Sequence, residues 1–530
     1  MEPLLKKKVL LVNPKPMSDN FSSGLPIGLL ALASVIRDEY EVKIVMARPM
    51  RDYYKEALNF LDDDTLCVGF SVMTGYQITD AINICKLIRK KNPKVKIIWG
   101  GVHPTLLPEQ TAKSEWVDIV IKSYCETAFR EIVDCLAQHK PYADVKGIVY
   151  REGSNVVSTP PRVMDDPNDL PRMPYELVSE RILNNDLVDD KTVEYISSRG
   201  CFFECAFCFE IKMSQKVWKG LSSGRVLDDF EWLSKIYGIK KIRMLDSLFF
   251  TNKRRAKEIF QGIVDRKIPI RLEFLNGRTR QLNMYEPEMW ELMKKCGVIE
   301  FLVGAESGTD AVLELINKGC SVEDTKKLVR TCNKYGLKVI LSCMTGLPQI
   351  PGLRMKEEFN STLDLIAYAW SINSNNDAYL IPFTPYPNGT ALWNLCVKNG
   401  YKEPQTLEGW GEVESYRHNT PWVPRKYKRW VQMIQYDYIF PFINGSIERY
   451  WLPKVKRFKP VAKIGYKVAL SVARFRFRHK FFYLPAEWYL IRLYKYLRTK
   501  QEDKVRLAEL QGRGLDSKLD TLIFSKAEAK

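Results

Sequence analysis

Three cysteines near residue 200 have a spacing that suits metal chemistry. Cys201, Cys205 and Cys208 form a C-x₃-C-x₂-C pattern directly after the strand-like run EYISSRG. Three thiolates in so short a loop can hold three irons of a [4Fe–4S] cluster and leave the fourth iron open for a substrate. The alternative is a zinc site, but no nearby His or Cys supplies the fourth ligand that zinc needs. The spacing therefore predicts a catalytic iron–sulfur cluster on these three cysteines.

The aromatic residues around the cysteines add to this pattern. Phe202, Phe203 and Phe207 are expected to shield a cluster from solvent. With Phe207 directly before the third cysteine, the motif resembles the signature of the radical S-adenosylmethionine (SAM) enzymes. The resemblance implies that the amino and carboxylate groups of SAM chelate the open iron, with Phe207 at the cofactor. It also implies that an electron from the cluster cleaves SAM to a 5′-deoxyadenosyl radical, which removes hydrogen from an unactivated C–H bond.

Two later segments resemble the SAM-binding segments of the same family. The run Met-Leu-Asp-Ser at 244–247 implies that Asp246 and Ser247 lie near the SAM amino group. The run Gly-Ala-Glu-Ser-Gly at 304–308 implies that Glu306 and Ser307 lie near the SAM ribose and carboxylate. For Glu306 the alternative is a surface carboxylate that caps the following helix.

The elements that position these residues follow a β/α alternation, so the chain belongs to the α/β class. Over 191–390, strand-like runs alternate with amphipathic stretches and predict a partial TIM-type β/α barrel, with its chemistry at the carboxyl ends of the strands. The same alternation over 1–150 predicts a doubly wound, Rossmann-like domain. Prolines mark 151–190 as a linker. The alternation is lost from 391, so 391–530 is expected to form a separate, mainly helical region.

A doubly wound domain directly before such a barrel resembles the cobalamin-binding subclass of radical SAM enzymes. Glycines at strand ends allow the backbone to approach a bulky ligand, and helix N-termini suit its phosphate. The resemblance implies that cobalamin lies beside five residues that end strands or begin helices: Ser71, Met73, Gly100, Gly101 and His103.

Two departures from that subclass concern the same domain. The D-x-H-x-x-G motif, which supplies a histidine ligand to cobalt, is missing, since the first loop reads NPKPMSDN. His103 does not replace it, because the family's histidine at that place is followed by proline and shapes the loop. Where relatives often have G-E-G-E, this chain has Ser-Tyr-Cys-Glu at 123–126, and these larger side chains are expected to crowd the pocket.

The positive charge of the chain is concentrated in one segment. The net charge is +18, and residues 421–500 contain nineteen Lys and Arg against three Asp and Glu, a local net charge of +16. Within it, 450–498 interleaves basic and aromatic residues, which suits an anionic membrane surface. A lid packed on the barrel is an alternative. Single-stranded nucleic acid comes last, because no recognisable RNA-binding module accompanies the segment.

These observations predict an enzyme with a [4Fe–4S] cluster, SAM and cobalamin, and an external electron donor such as flavodoxin or ferredoxin. We expect methylation or ring formation at an unactivated carbon of a hydrophobic small molecule or lipid. An RNA- or protein-modifying methyltransferase or methylthiotransferase is the alternative, although its second cysteine triplet is missing. A non-enzymatic cobalamin or iron–sulfur module is disfavoured, because a cluster with one iron left without a protein ligand is poorly suited to a purely structural role. No uncharged apolar stretch of about 18 residues occurs, so we expect a cytoplasmic protein, with a peripheral place on the inner membrane face as an option.

Overall fold

The structure, a computed structural model, describes residues 6–16, 24–47, 52–124, 126–179, 191–348, 352–387, 390–413, 419–450 and 459–493. Contacts divide the chain into two compact units, residues 1–425 and 426–530. Each unit is described by itself. The domain limits expected at residues 150, 190 and 390 stay predictions.

A seven-stranded sheet forms the N-terminal part of the first unit. Its strands are β1 (Lys8–Asn13), β2 (Glu41–Met46), β3 (Thr65–Ser71), β4 (Lys96–Gly100), β5 (Ile119–Ile121), β6 (Ile148–Glu152) and β7 (Asn155–Ser158). The strand order is β2-β1-β3-β4-β5-β6-β7. The first five strands are parallel, and β6 and β7 extend the sheet in antiparallel fashion. The order reverses between β1 and β3, and such a switch point is where doubly wound sheets bind ligands.

Helices cover both faces of this sheet, as expected for a doubly wound domain. They span Ile27–Ser34, Tyr53–Phe60, Tyr76–Lys91, Val102–Leu106, Pro108–Lys113 and Glu126–Ala137. Leu10 and Val12 of β1 belong to the same buried cluster as the apolar side of Tyr76–Lys91. On the opposite face, Leu11 and Phe129 lie against Gly69. Because successive side chains of a strand point to opposite faces, both sides of β1 are buried.

Seven parallel strands form the partial β/α barrel that follows. The strands of this region are β8 (Thr192–Tyr195), β9 (Ser198–Gly200), β10 (Trp218–Gly220), β11 (Lys241–Met244), β12 (Arg271–Glu273), β13 (Leu275–Gly277), β14 (Glu300–Glu306), β15 (Lys338–Thr345) and β16 (Asp377–Pro382). Two parallel sheets have the orders β12-β11-β8 and β13-β14-β15-β16. Only Phe274, with a positive φ, separates β12 from β13, so the two sheets form one continuous wall.

The sequence predicts one continuous strand before the cysteines, but the structure contains two short strands there. β8 ends at Tyr195, and β9 pairs antiparallel with β10 instead of joining the barrel wall. Gly200, at the end of β9, has φ +82°, and a side chain there would overlap the carbonyl oxygen of Val217. The cysteines therefore follow a two-stranded ribbon at the carboxyl end of the first barrel strand.

Helices surround the barrel and continue to residue 411. They span Glu210–Met213, Ser223–Tyr237, Lys253–Asp265, Thr279–Leu282, Pro287–Lys295, Asp310–Leu315, Val322–Lys334, Met355–Ile372, Ala391–Lys398 and Leu407–Gly411, with 3₁₀ turns at Tyr175–Val178 and Phe249–Thr251. Ser222 accepts a hydrogen bond from the backbone of Arg225, and Gly238 ends that helix in the left-handed conformation. These are the start and stop signals that the sequence pattern contains.

The second unit is mainly helical, as expected. Its helices span Arg425–Val431, Gln432–Asp437 (a π-helix), Ile439–Ile443, Ser446–Tyr450 and Lys459–His479, and residues 486–493 are also helical. Phe442 stacks on Tyr466, with ring centroids 5.6 Å apart. Parts of the basic aromatic segment, 451–458 and 494–498, lie outside the described residues. Among the residues that are described, no helix is both long and apolar enough to cross a membrane.

Candidate functional site

The cysteine loop contains three free thiols. Cys201, Cys205 and Cys208 form no disulfide. The backbone N–H of Cys208 donates to the carbonyl of Cys205 across 3.0 Å, and that of Ala206 donates to the carbonyl of Ile316 across 2.9 Å. Burial raises the pKa of Cys201, and it raises the pKa of Cys208 to about 12. A positively charged partner is therefore needed to hold these sulfurs as thiolates.

No site for a single metal ion is preformed among the described residues. Within the described ranges, no group of three or more His, Cys, Asp or Glu side chains is placed to hold one metal ion. A zinc ion needs such a group, because all of its ligands bind the same atom. In a four-iron cluster each cysteine binds a different iron. Both centres use cysteine thiolates, so the assignment of these three cysteines to a cluster stays a prediction from their spacing.

Arg278 is a site residue that the sequence analysis missed. Its Nη1 atom donates to the Sγ atom of Cys205 across 2.9 Å, and its guanidinium lies 3.8 Å from the ring centroid of Phe203. It also donates to the carbonyl of Lys318. The residue directly follows β13, so a barrel strand end supplies the positive charge beside the Cys205 sulfur. The sequence indicates a site role for Arg278 only by its position at the end of a predicted strand.

A buried ion pair lies on the same side of the loop. The Nζ atom of Lys318 is 2.6 Å from the Oε1 atom of Glu306, and both side chains are buried. The ammonium also lies 5.7 Å from the ring centroid of Phe207. Burial lowers the pKa of Lys318, but Glu306 and Cys205 more than offset this effect and raise it. The Glu306 carboxylate thus binds Lys318 and does not cap the following helix.

Asp246 is enclosed by the strand that leads to the cysteines. Its carboxylate accepts hydrogen bonds from the backbone N–H of Ser197 at 3.2 Å, from the Ser197 hydroxyl at 2.7 Å and from the Ser198 hydroxyl. Burial raises the pKa of Asp246, while nearby Arg255 and the two serines lower it. In this structure Asp246 therefore fixes the approach to Cys201 instead of facing an open site.

The two predicted serines have different surroundings. The Ser247 side chain lies close to Glu210 and Tyr124, so it lies where the barrel meets the N-terminal sheet. Ser307 is fully buried, and its hydroxyl accepts from the backbone N–H of Thr309 at 3.2 Å. Ser307 is thus surrounded by protein groups.

The carboxyl edge of the N-terminal sheet contacts the short helix that follows the cysteine loop. The Tyr124 hydroxyl lies 3.1 and 3.2 Å from the two carboxylate oxygens of Glu210, to which it donates. The Ser123 hydroxyl donates to the carbonyl of Met213, in the same short helix as Glu210. Burial raises the pKa of Glu210 to about 7. The residues that replace the glycine-rich motif therefore connect the two domains.

A buried ion pair strengthens this connection. Arg199, two residues before the first cysteine, pairs with Glu126, and both side chains are buried. The Arg199 guanidinium also lies 5.8 Å from the ring centroid of Tyr124. Cys125, between these two partners in sequence, lies outside the described residues. The pair fixes the start of the cysteine loop to the N-terminal sheet.

Three glycines and a serine lie at strand ends and helix starts near the switch point of the sheet. Side chains built at Gly28 and Gly100 would meet no heavy atom nearer than 3.8 and 3.7 Å. At Gly101 the φ angle is +97°, and a side chain would come within 2.9 Å of the backbone of the loop after β3, so the two loops pack tightly. Ser71 lies between Gly28 and Gly101, and the Met73 side chain is exposed. Small or exposed residues therefore line the edge where cobalamin is expected, and their contacts with it stay a prediction.

His103 lies behind this edge. Its ring is buried, lies 5.7 Å from the Trp410 ring, and has its Nδ1 atom 3.1 Å from the Thr74 hydroxyl. Burial lowers its pKa to about 3, so the ring is neutral. Its Nε2 atom has no hydrogen-bond partner among the described residues. His103 is therefore positioned to shape the loop, as its following proline suggests.

Two family profiles match the chain. The profile of the Radical SAM superfamily matches residues 195–366, and that of the B12 binding domain matches residues 22–133. The first range contains the cysteine loop, Arg278 and the Lys318–Glu306 pair. The second range contains the residues at the carboxyl edge of the N-terminal sheet, among them Gly28, Ser71, Gly100 and Gly101.

Individual proteins are similar over longer ranges. An uncharacterised methyltransferase of Pyrococcus horikoshii is 31% identical over 405 residues, which cover 74% of this chain and 83% of that protein. An anaerobic magnesium-protoporphyrin IX monomethyl ester cyclase of Synechocystis is 24% identical over 291 residues, or 54% of this chain and 56% of the cyclase. The structure of the cobalamin-dependent SAM radical enzyme OxsB, with aqua-cobalamin and SAM bound, has a TM-score of 0.68 at 19% identity and covers 94% of this chain and 75% of OxsB. This last similarity is one of fold.

Proposed function

Because the chain belongs to the radical SAM superfamily and to its cobalamin-dependent members with a B12-binding domain, we propose that it methylates, or closes a ring on, an unactivated carbon of a hydrophobic small molecule or lipid. When bound, the cluster supplies an electron, SAM supplies a carbon radical, and cobalamin supplies a carrier for a methyl group. The remaining roles belong to residues of the chain itself.

One observation carries the proposal: the carboxyl edge of the B12-type sheet contacts the helix that follows the cysteine loop. Tyr124 and Ser123 extend from the sheet and contact Glu210 and Met213, the helix that directly follows the cysteines. Contacts of hydrogen-bond length hold the two cofactor regions in one arrangement. Group transfer between bound cofactors and a substrate requires such fixed placement.

The proposed cluster ligands are Cys201, Cys205 and Cys208. Arg278 stabilises the Cys205 thiolate by a charged hydrogen bond. Lys318, held by Glu306, adds a second cation near that sulfur. Two cations in a buried site favour anionic groups, which here are the thiolates and the carboxylate of SAM. Phe207 lies beside Lys318 and limits the access of water.

The proposed cobalamin contacts come from the switch point of the sheet. Gly28 and Gly100 have no side chain, which would let the ligand approach their backbone, and Ser71 offers a hydroxyl between the two loops. Met73 presents an exposed apolar side chain at the same edge. Gly101 and His103 act indirectly, because they shape the loop after β4.

An apolar substrate is supported by two features outside the cysteine loop. The Synechocystis relative is named for a magnesium-protoporphyrin ester, which is a large ring compound. The basic aromatic segment suits a membrane face, from which lipid-type molecules are obtained. We place the enzyme on the cytoplasmic side of that membrane, where flavodoxin or ferredoxin can supply electrons.

The test is anaerobic reconstitution with iron, sulfide, SAM and a reductant, with and without cobalamin, on a lipid extract. Methyl-labelled SAM separates the two reactions, since methylation transfers the label to product and ring closure does not. Replacing Cys201, Cys205 and Cys208 by alanine should abolish iron binding and 5′-deoxyadenosine formation, whereas Cys135→Ala should change neither. Full iron content in the triple variant would refute the proposal. In a parallel assay with total RNA in place of the lipid extract, label transfer to RNA and none to lipid would favour the RNA-modifying alternative.

A further inference from the structure

An exposed apolar stripe runs along the longest helix of the second unit. Ile464, Val468 and Phe475 in helix Lys459–His479 are 65%, 59% and 57% exposed. Their spacing of four and seven residues places them on one helix face. Large apolar side chains lined up on a surface in this way mark an interaction site more often than chance exposure.

A basic stripe lies beside the apolar one. Lys463, Lys467, Arg474 and Arg478 are all exposed. Three of them directly precede a residue of the apolar stripe, and together they keep the same helical spacing. The helix thus presents an apolar line with a parallel line of positive charge. This arrangement is typical of helices that lie in the interface of an anionic bilayer.

The turn after this helix has an apolar tip. Leu484 is 87% exposed and has φ +48°, a conformation that disfavours any residue with a large side chain. Buried Arg476 fixes the turn, because it donates to the carbonyls of Phe481, Tyr483 and Leu484 at 3.0, 2.9 and 3.0 Å and pairs with Glu487. Strain held by several hydrogen bonds is typical of functional positions.

Two aromatic residues of the basic aromatic segment lie inside the second unit and not on its surface. Phe482 and Trp488 are buried. The Trp488 Nε1 atom donates to the Asp437 carboxylate at 3.0 Å, and the Phe482 ring lies 5.5 Å from that of Trp430. These two side chains support the second unit from inside and leave its surface to other residues.

We infer that the apolar stripe, the basic stripe and the Leu484 turn together dock on the surface of an anionic lipid bilayer. The charge is complementary, since +16 of the net +18 lies in residues 421–500. The most exposed members of the surface are aliphatic, namely Leu484, Ile464 and Val468. Aliphatic side chains enter the acyl boundary of a membrane, whereas single-stranded nucleic acid needs aromatic groups on which its bases stack.

The test is sedimentation of the full chain with vesicles of phosphatidylcholine alone or mixed with phosphatidylglycerol. Binding should require the anionic lipid and weaken as salt rises. Leu484→Asn removes the apolar tip but suits a positive φ, so binding should fall about fivefold while the melting temperature stays equal or rises. Replacing Lys467 and Arg474 by Gln should lower binding to anionic vesicles by about fivefold for each charge.

A matched control is Met284→Gln, which removes an exposed apolar side chain from the barrel and should leave vesicle binding unchanged. Equal, negligible binding of the unmodified protein to both vesicles would overturn the inference. Salt-dependent binding to RNA but not to lipid would also overturn it. The proposed lipid-type substrate explains why the protein would dock on a membrane, and only this explanation rests on the proposed function. The vesicle assay needs no cluster or cobalamin, so its failure would leave the proposed chemistry standing.

Discussion

The Nη1 atom of Arg278 donates a hydrogen bond to the Sγ atom of Cys205 across 2.9 Å. The two residues are 73 positions apart in sequence, and each follows a strand of the barrel region. Hydrogen bonds and positive charge at a ligand sulfur stabilise the reduced, more negative form of an iron–sulfur cluster. Arg278 should therefore tune the cluster proposed here.

Replacing Arg278 by Gln should lower the reduction potential of the reconstituted cluster. A shift on the order of 60 mV corresponds to a tenfold change in a one-electron equilibrium. An EPR-monitored redox titration measures the shift, and iron content shows whether the cluster still assembles. Arg280→Gln, at an exposed position in the short helix Thr279–Leu282 that follows Arg278, should leave the potential unchanged. Equal potentials in both variants would contradict a tuning role.

The absence of a histidine from the first loop gives a spectroscopic prediction. The chain has four histidines, and the first of them in sequence is His103, which is buried against Trp410. Cobalamin bound in its Co(II) form should show no nitrogen splitting from a protein imidazole in the EPR spectrum. Growth on ¹⁵N-labelled histidine is the control, because a protein imidazole ligand would then change the pattern. Such a change would contradict the predicted ligand environment.

The fold could be predicted from sequence because it depends on local periodicity. Helices such as Tyr76–Lys91 repeat apolar residues at helical spacing, and buried parallel strands such as β15 are short apolar runs. The cysteine spacing was equally visible. The break between β8 and β9 could not be predicted. At this break Ser197 donates a hydrogen bond to Asp246, which is 49 positions away in the sequence.

Other site residues could not be predicted because their partners are set by tertiary contacts. Lys318 has an ordinary sequence context, and its role follows only from the buried pair with Glu306. We expected residues 123–126 to crowd a pocket because their side chains are larger than those of the glycine-rich motif. In the structure, Tyr124 and Glu126 reach the barrel instead, where their polar groups find partners. Sequence gives the type of a side chain, whereas its direction depends on the packed domains.

The Glu126–Arg199 pair gives a prediction about stability. Both side chains are buried, and removing one partner of such a pair leaves a charge without compensation. Glu126→Gln should lower the free energy of unfolding by about 3–5 kcal/mol, measured by urea denaturation. Glu131→Gln in the same helix breaks an exposed pair with Arg162 and should cost at most about 1 kcal/mol. Equal losses in the two variants would contradict a specific connection between the domains.

Glu358 gives a prediction about pH. Its side chain is buried in helix Met355–Ile372, and its Oε1 atom has no hydrogen-bond partner among the described residues. Burial raises its pKa from 4.5 to about 8, so the folded protein holds this proton more tightly than the unfolded chain. Stability from this group is present at low pH and is lost as pH rises between these two values.

The contribution of this group should therefore decrease the free energy of unfolding by up to about 1.4 kcal/mol for each pH unit in that range. Glu358→Gln cannot titrate, so its stability should fall less steeply between about pH 5 and about pH 8 than that of the unmodified protein. Urea denaturation across this range measures both slopes. Glu357→Gln, at the partly exposed neighbouring position with a pKa lowered by Arg354, should keep the steeper fall. If the slope of the Glu358→Gln variant equals that of the unmodified protein, the buried carboxyl does not hold its proton as proposed.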